Sequence, residues 1–197
     1  AQRRMTARER PAGFRQQDLQ GPINTGHLQL AFSIPGLADG SVYACDLLSS
    51  VLGRGRSSRL GRALRERQGL VSQVKTGTMI ERDPGLLVVE AVLAPERFQE
   101  VEEALWSELE LLVAQGVTER ELLRAKNQAE ASFVMAQETV EGQGRKVGYY
   151  EMMGDFRLAE QYVAHLVQVD RSAFQAAASQ YLARENASLV RYRPASP

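Results

Sequence analysis

Residues 53–74 read GRGRSSRLGRALRERQGLVSQV, and the way this stretch divides decides the fold. Gly53 to Ser57 carries two glycines and no apolar side chain, so it is a loop. Ser57 or Ser58 can accept hydrogen bonds from the free N–H groups that open a helix. That helix is expected to run to about Gln68, with Leu60 and Leu64 facing inward. Gly69 ends it, because glycine takes the left-handed conformation that closes helices. Val71 then starts an extended segment to about Ile80. The tight Arg82-Asp83-Pro84-Gly85 segment turns the chain, and Gly85–Leu93 returns as a second strand of a hairpin.

The pattern extends in both directions. Upstream, His27–Ile34 (HLQLAFSI) alternates as a strand and stops at Pro35-Gly36. Ser41–Leu52 places Val42, Cys45, Leu48 and Leu52 on one helix face, which makes Cys45 a buried and inert thiol. Downstream, Pro95 opens a helix to about Gln115, with Phe98, Val101, Leu105, Leu109 and Leu112 at spacings of three and four. Thr118-Glu119-Arg120-Glu121 is a capping box for a second long helix, whose inner stripe is Leu122, Ala125, Ala129, Phe133 and Ala136. Helical character resumes over Lys146–Met153 and Leu158–Leu166. Asp170 caps a helix to about Ala183, and Ser188–Tyr192 is a final strand.

Strand, helices, hairpin, helices, strand is an α+β order. It implies an antiparallel-rich mixed sheet with helices packed on one face. Residues 1–26 are polar and basic and read as an inter-domain linker or an edge segment, in which Phe14–Leu19 can form a short edge strand. Residues 27–197 read as a single domain.

Composition narrows the function. The 197 residues hold 24 Lys+Arg against 24 Asp+Glu, two histidines and one cysteine. A zero balance argues against a protein built to grip nucleic acid or anionic lipid. No run approaches the roughly 20 apolar residues of a membrane span. Arginine outnumbers lysine by 21 to 3, which reads as the codon bias of a GC-rich bacterial genome. The densest basic segment, Arg54 to Arg67, has no aromatic residue near it on which a base could stack. Its natural partners are acids such as those of Glu96–Glu110, within the domain or between chains.

Chemistry-bearing motifs are sparse. Neither His27 nor His165 stands in a His-x-x-Glu-His or His-Glu-x-x-His pattern, so no metal ligand set is assigned. There is no Gly-x-Ser-x-Gly elbow, and the glycine loop at 53–58 lacks the Gly-Lys-Ser/Thr ending of a phosphate loop. No catalytic residue is assigned either.

The opening stretch nevertheless resembles a known family. Gly53, Ser58-Arg59-Leu60, Leu64-Arg65-Glu66, Gly69-Leu70-Val71 and Val74 fall on the LGG-x-x-SRL-x-x-x-LRE-x-x-GL-x-Y-x-V pattern of the pitrilysin/insulinase zinc peptidases, the inverzincins. That pattern is shared with the mitochondrial processing peptidase subunits and the respiratory complex III core proteins. The stretch GVTERELLRAK at 116–126 is similar to the same family, and the likeness runs from about His27 to Tyr192.

The resemblance implies an inactive, non-zinc-binding second domain. It brings no cofactor of its own; zinc is expected in the parent's other domain. Its expected partners are that zinc-bearing domain or subunit, a peptide substrate and a second copy of the chain. A bacterial parent would be periplasmic, with the cytoplasm as the alternative. The family's substrate-orienting Arg–Tyr pair falls on Arg65 and Ser72, so both are candidate substrate-binding residues. A serine hydroxyl is too short to replace the phenol. The alternative is a structural or assembly subunit that acts through protein contacts only.

Overall fold

The computed structural model describes residues 13–195. Its strands are β1 (Arg15–Gly21), β2 (Gly26–Ile34), β3 (Val71–Met79), β4 (Gly85–Leu93) and β5 (Ala187–Pro194). They form one sheet in the order β1-β5-β2-β4-β3. β1 and β5 are parallel and every other neighbouring pair is antiparallel. The expected α+β architecture with a mostly antiparallel sheet is therefore the one observed.

Strand alternation sets the layers. In β2, Leu28, Leu30, Phe32 and Ile34 are buried, while His27 and Gln29 are exposed. In β4, Leu87, Val89, Ala91 and Leu93 are buried, and the residues between them are not. One face of the sheet thus joins the core, because successive side chains point to opposite sides. The core on that face takes in the helices α1 (Ser41–Gly53), α2 (Phe98–Gln115), α3 (Glu119–Met135), α5 (Leu158–Gln168) and α6 (Arg171–Tyr181), and α4 (Val140–Met153) packs against α5.

Several local details differ from the sequence reading. α1 is buried on nearly every side rather than along one stripe, since β3, α3, α5 and α6 all pack around it. Cys45 is fully buried there, and burial followed by the charges of Asp39 and Asp46 pushes its thiol up. The helix expected from Ser57 or Ser58 is π-helical over Gly61–Arg67. Gln68 N bonds Ala63 O at 3.3 Å and Leu70 N bonds Leu64 O at 2.8 Å. Gly69, at φ +58°, reverses the chain between these bonds.

α4 starts at Val140, not near Lys146. The Thr139 hydroxyl accepts from Gly142 N at 3.0 Å and starts the helix through a run whose glycines dilute the helical signal. The stripe of α3 leaves the core at its end: Leu122, Ala125 and Ala129 are buried, but Phe133 is half-buried and Ala136 exposed.

The boundary expected at His27 falls inside a strand, because Gly26 already pairs with Leu93. The edge strand expected at Phe14–Leu19 is present as β1, Arg15–Gly21, the outer strand beside β5. Residues 1–12 of the expected linker lie outside the described residues.

Candidate functional site

The two family-like stretches meet in space. Arg59 follows Ser58, whose hydroxyl accepts from Gly61 N at 3.3 Å at the helix start. The Arg59 guanidinium donates twice to Glu121, from Nε to Oε1 at 2.9 Å and from Nη2 to Oε2 at 3.0 Å. Nη2 also donates to Gly116 O at 2.8 Å. Gly116 ends α2 at φ +72°, a conformation that favours glycine.

Glu121 completes the predicted capping box. It accepts from Thr118 N at 3.0 Å and from the Thr118 hydroxyl at 2.8 Å, while its own N–H donates to Thr118 Oγ1 at 3.2 Å. Burial pushes the Glu121 carboxyl up, but the bonds from Arg59 and Thr118 and the Arg59 charge outweigh it and hold it at about 2. This fork clamps the loop at 53–60 to the start of α3, so the motif residues Arg59 and Glu121 have a structural task.

Arg65 has a different setting. It is exposed on the π-helical segment next to β3, and among the described residues it makes no hydrogen bond or ion pair. Its neighbours are engaged: Glu66 lies 3.8 Å from Arg56, and Arg67 donates to Glu108 on α2 at 3.0 Å. Among the described residues, Arg67 is the one member of the basic segment that pairs with the acidic helix. Ser72 stands at the bulge where the register shifts between Val71 and Gln73, and its hydroxyl donates to Val92 O at 3.1 Å. The Ser72 hydroxyl is thus bonded into the sheet.

β3 is an edge of the sheet and among the described residues has no strand on its outer side. Among the described residues no helix covers the other face of the sheet. Registered rows run across it. Leu19, Tyr192, His27, Val92 and Gln73 form one. Gln17, Val190, Gln29, Glu90 and Lys75 form the next, in which Glu90 accepts from Gln29 at 3.1 Å and pairs with Lys75 at 2.7 Å. The Lys75 and Gln29 bonds oppose burial and hold the Glu90 carboxyl below its usual range.

A third row, Arg15, Ser188, Ala31, Val88 and Gly77, is small or compact from β5 to β3 and ends on the Arg15 side chain in β1. The first two rows border a shallow concavity of about 660 Å3. The sequence reading named none of these open-face residues as a site; their signal lies in the strand alternation.

The histidines stay apart. His27 sits on the open face, with Nε2 3.1 Å from Thr25 Oγ1. His165 stacks on Tyr43 of α1 on the helix side, ring centroids 4.9 Å apart. Among the described residues no group of three His, Cys, Asp or Glu side chains could hold a metal ion.

Comparison with known proteins matches this arrangement. The family model described as the peptidase M16 inactive domain matches residues 6–129. An uncharacterized zinc protease of Mycobacterium tuberculosis (strain ATCC 25618 / H37Rv) is 30% identical over 165 residues, which cover 83% of this chain and 38% of that protein. YmxG of Bacillus subtilis (strain 168), also named an uncharacterized zinc protease, is 27% identical over 155 residues, 78% of this chain and 38% of its own. The chain therefore spans less than half the length of these curated relatives.

Among solved structures, a protease from Helicobacter pylori superposes with a TM-score of 0.86 at 21% identity, over 94% of this chain and 45% of that one. The inactive peptidase domain from Bordetella parapertussis gives a TM-score of 0.81 at 26% identity, over 90% of this chain and 97% of that one. With a family model matching well over half its length, this chain belongs to the peptidase M16 inactive-domain family.

Proposed function

We propose that this domain is the non-catalytic wall of a zinc peptidase. It packs against a zinc-bearing domain carried by the rest of the parent or by a partner chain, and it turns its open sheet face toward the peptide. The observation that carries this reading is the open face itself, a five-stranded floor whose helices, among the described residues, lie on the opposite side. An extended peptide could also add to the β3 edge, where main-chain hydrogen bonds supply affinity. Two facts support a larger parent: the family described for this chain and the greater length of relatives named zinc proteases. The parent's zinc would supply peptide hydrolysis as a Lewis acid and activator of water.

The test uses the full-length, zinc-loaded parent. Ala31 lies in the small-residue row and pairs with both Val88 and Ser188. Ala31→Arg should raise KM and lower kcat/KM about tenfold, about 1.4 kcal/mol in transition-state terms, while the melting temperature holds. An unchanged kcat/KM overturns the reading. If hydrolysis is intact but association with the partner weakens, the chain is an assembly subunit instead.

Arg65 gives a second prediction. Exposed and without an ion pair among the described residues, its guanidinium is free to hold a peptide carbonyl or carboxylate. Arg65→Ala should change stability by less than about 0.5 kcal/mol, as surface substitutions do. It should raise KM for peptides in the same parent, measured by steady-state kinetics. Retention of the wild-type KM removes Arg65 from the substrate contacts.

A further inference from the structure

On the helix side, away from the open sheet face, α1, the end of β3, α3, α4 and α5 border a second, solvent-open cavity of about 650 Å3. That volume lies within the range of about 300–1,000 Å3 typical of small-molecule sites. Its polar groups divide into engaged and free. Asp46, on α1, accepts from the Thr78 hydroxyl at 2.6 Å and from the Tyr162 hydroxyl. The Tyr149 hydroxyl donates to Ile80 O. Glu141 is paired with Arg145 at 2.7 Å.

Three groups that line the cavity have no charged partner among the described residues. Arg54 has no ion pair and only a long 3.4 Å bond to the Ser132 hydroxyl. Lys146 has no carboxylate partner; it donates to the Gln137 side-chain carbonyl at 2.5 Å and stands 5.9 Å from the centre of the Phe133 ring. Tyr150 is 7% exposed, yet its hydroxyl makes no hydrogen bond among the described residues. Burial, then the neighbouring Tyr149, Tyr43 and Asp46, pushes that phenol up, so it stays a neutral donor. Around these groups the wall is aromatic: Phe133 stacks on Tyr162 at 5.0 Å, and Tyr149 meets Tyr150 edge-on at 5.1 Å.

Two cations without a carboxylate partner among the described residues, and a phenol free to donate, stand beside aromatic faces and complement one chemistry. The geometry points to a binding site for an aromatic carboxylate, its anion met by Arg54 and Lys146 and its ring by Phe133 and Tyr150. A cation holds a carboxylate best with charge-assisted hydrogen bonds in a site partly removed from water. Offset or edge-on ring contacts add to the burial of the aryl group. The same chemistry is offered by a free aryl acid and by a peptide that ends in an aromatic residue. The site does not depend on the role of the open sheet face.

Calorimetric titration of the full 197-residue chain tests it with phenylacetate, N-acetylphenylalanine, N-acetylphenylalanine amide and a tetrapeptide ending in phenylalanine. Saturable binding of an acid is expected, with the amide at least tenfold weaker. Arg54→Gln and Lys146→Gln should each weaken that acid at least tenfold with unchanged melting, whereas Ala31→Arg should leave it alone. Binding of the tetrapeptide but not phenylacetate identifies a peptide end as the source; the reverse identifies a free acid. No saturable binding of any acid, equal affinity for the amide, or wild-type affinity in both cation variants overturns the proposal.

Discussion

Glu121→Ala is expected to lower the free energy of unfolding by about 3 kcal/mol, the low end of the cost of leaving one half of a buried ion pair alone, because this pair is partly buried and Arg59 keeps its bond to Gly116 O. Arg59 and Glu121 are only 12% and 17% exposed in their side chains, so the abandoned guanidinium would have little water to replace its partner. The variant also loses the reciprocal cap on Thr118, whose removal costs about 1 kcal/mol in comparable helices. Urea unfolding followed by the fluorescence of the single tryptophan, Trp106, measures the loss. A double-mutant cycle with Arg59→Ala isolates the pair, because each single change strands the other charge. A loss below about 1 kcal/mol contradicts the clamp.

The same pair predicts a pH signature. The folded carboxyl is held at about 2, below the ordinary glutamate range, so its folded pKa is depressed. Such a group contributes its full stability above the unfolded pKa and loses it as pH falls through the folded value. The stability gap between the wild-type chain and Glu121→Gln should therefore be widest above about pH 5 and close toward pH 2. A gap independent of pH over that window would place the stabilisation elsewhere.

Phe32→Ala is expected to cost a similar amount, about 3–5 kcal/mol, by opening a cavity in the core. Phe32 is fully buried on β2, the strand with β5 on one side and β4 on the other. Its ring stands edge-on to Trp106, 6.1 Å between centroids at 85°, and so joins the sheet to α2. Domains of this size hold about 5–15 kcal/mol in total, so the loss takes a large fraction of the stability. The urea midpoint measures it, and the Trp106 emission reports the repacking directly. Phe32→Leu keeps most of the volume and should cost clearly less.

These residues show how far the sequence could be read. The β3–β4 hairpin was legible because Arg82-Asp83-Pro84-Gly85 is local turn chemistry and the flanking alternation is local too. The Thr118–Glu121 capping box was legible for the same reason. The fork from Arg59 was not, because it joins residues 62 positions apart, and spacing along the chain carries no sign of it. α1 looked amphipathic because one stripe is strongly apolar; its full enclosure depends on α3, α5 and α6, which arrive much later in the chain.

Arg65 and Ser72 were named through the resemblance, and the structure gives them contrasting surroundings, one side chain unpaired and the other bonded to Val92 O. The cavity beside Tyr150 left only a faint trace, Phe133 and Ala136 on a stripe that runs past the core. The open face was implicit in every alternating strand. Which side stays uncovered follows only from where the helices pack.

The central claim is that peptide meets the open sheet face. Photo-crosslinking tests it most directly. A benzoylphenylalanine at Val88, on that face, and another at Leu111, exposed on α2, are each irradiated in the zinc-loaded parent with a labelled peptide substrate. The account predicts peptide adducts from position 88, suppressed by unlabelled substrate, and none from position 111. Adducts from position 111 with none from position 88 would contradict it.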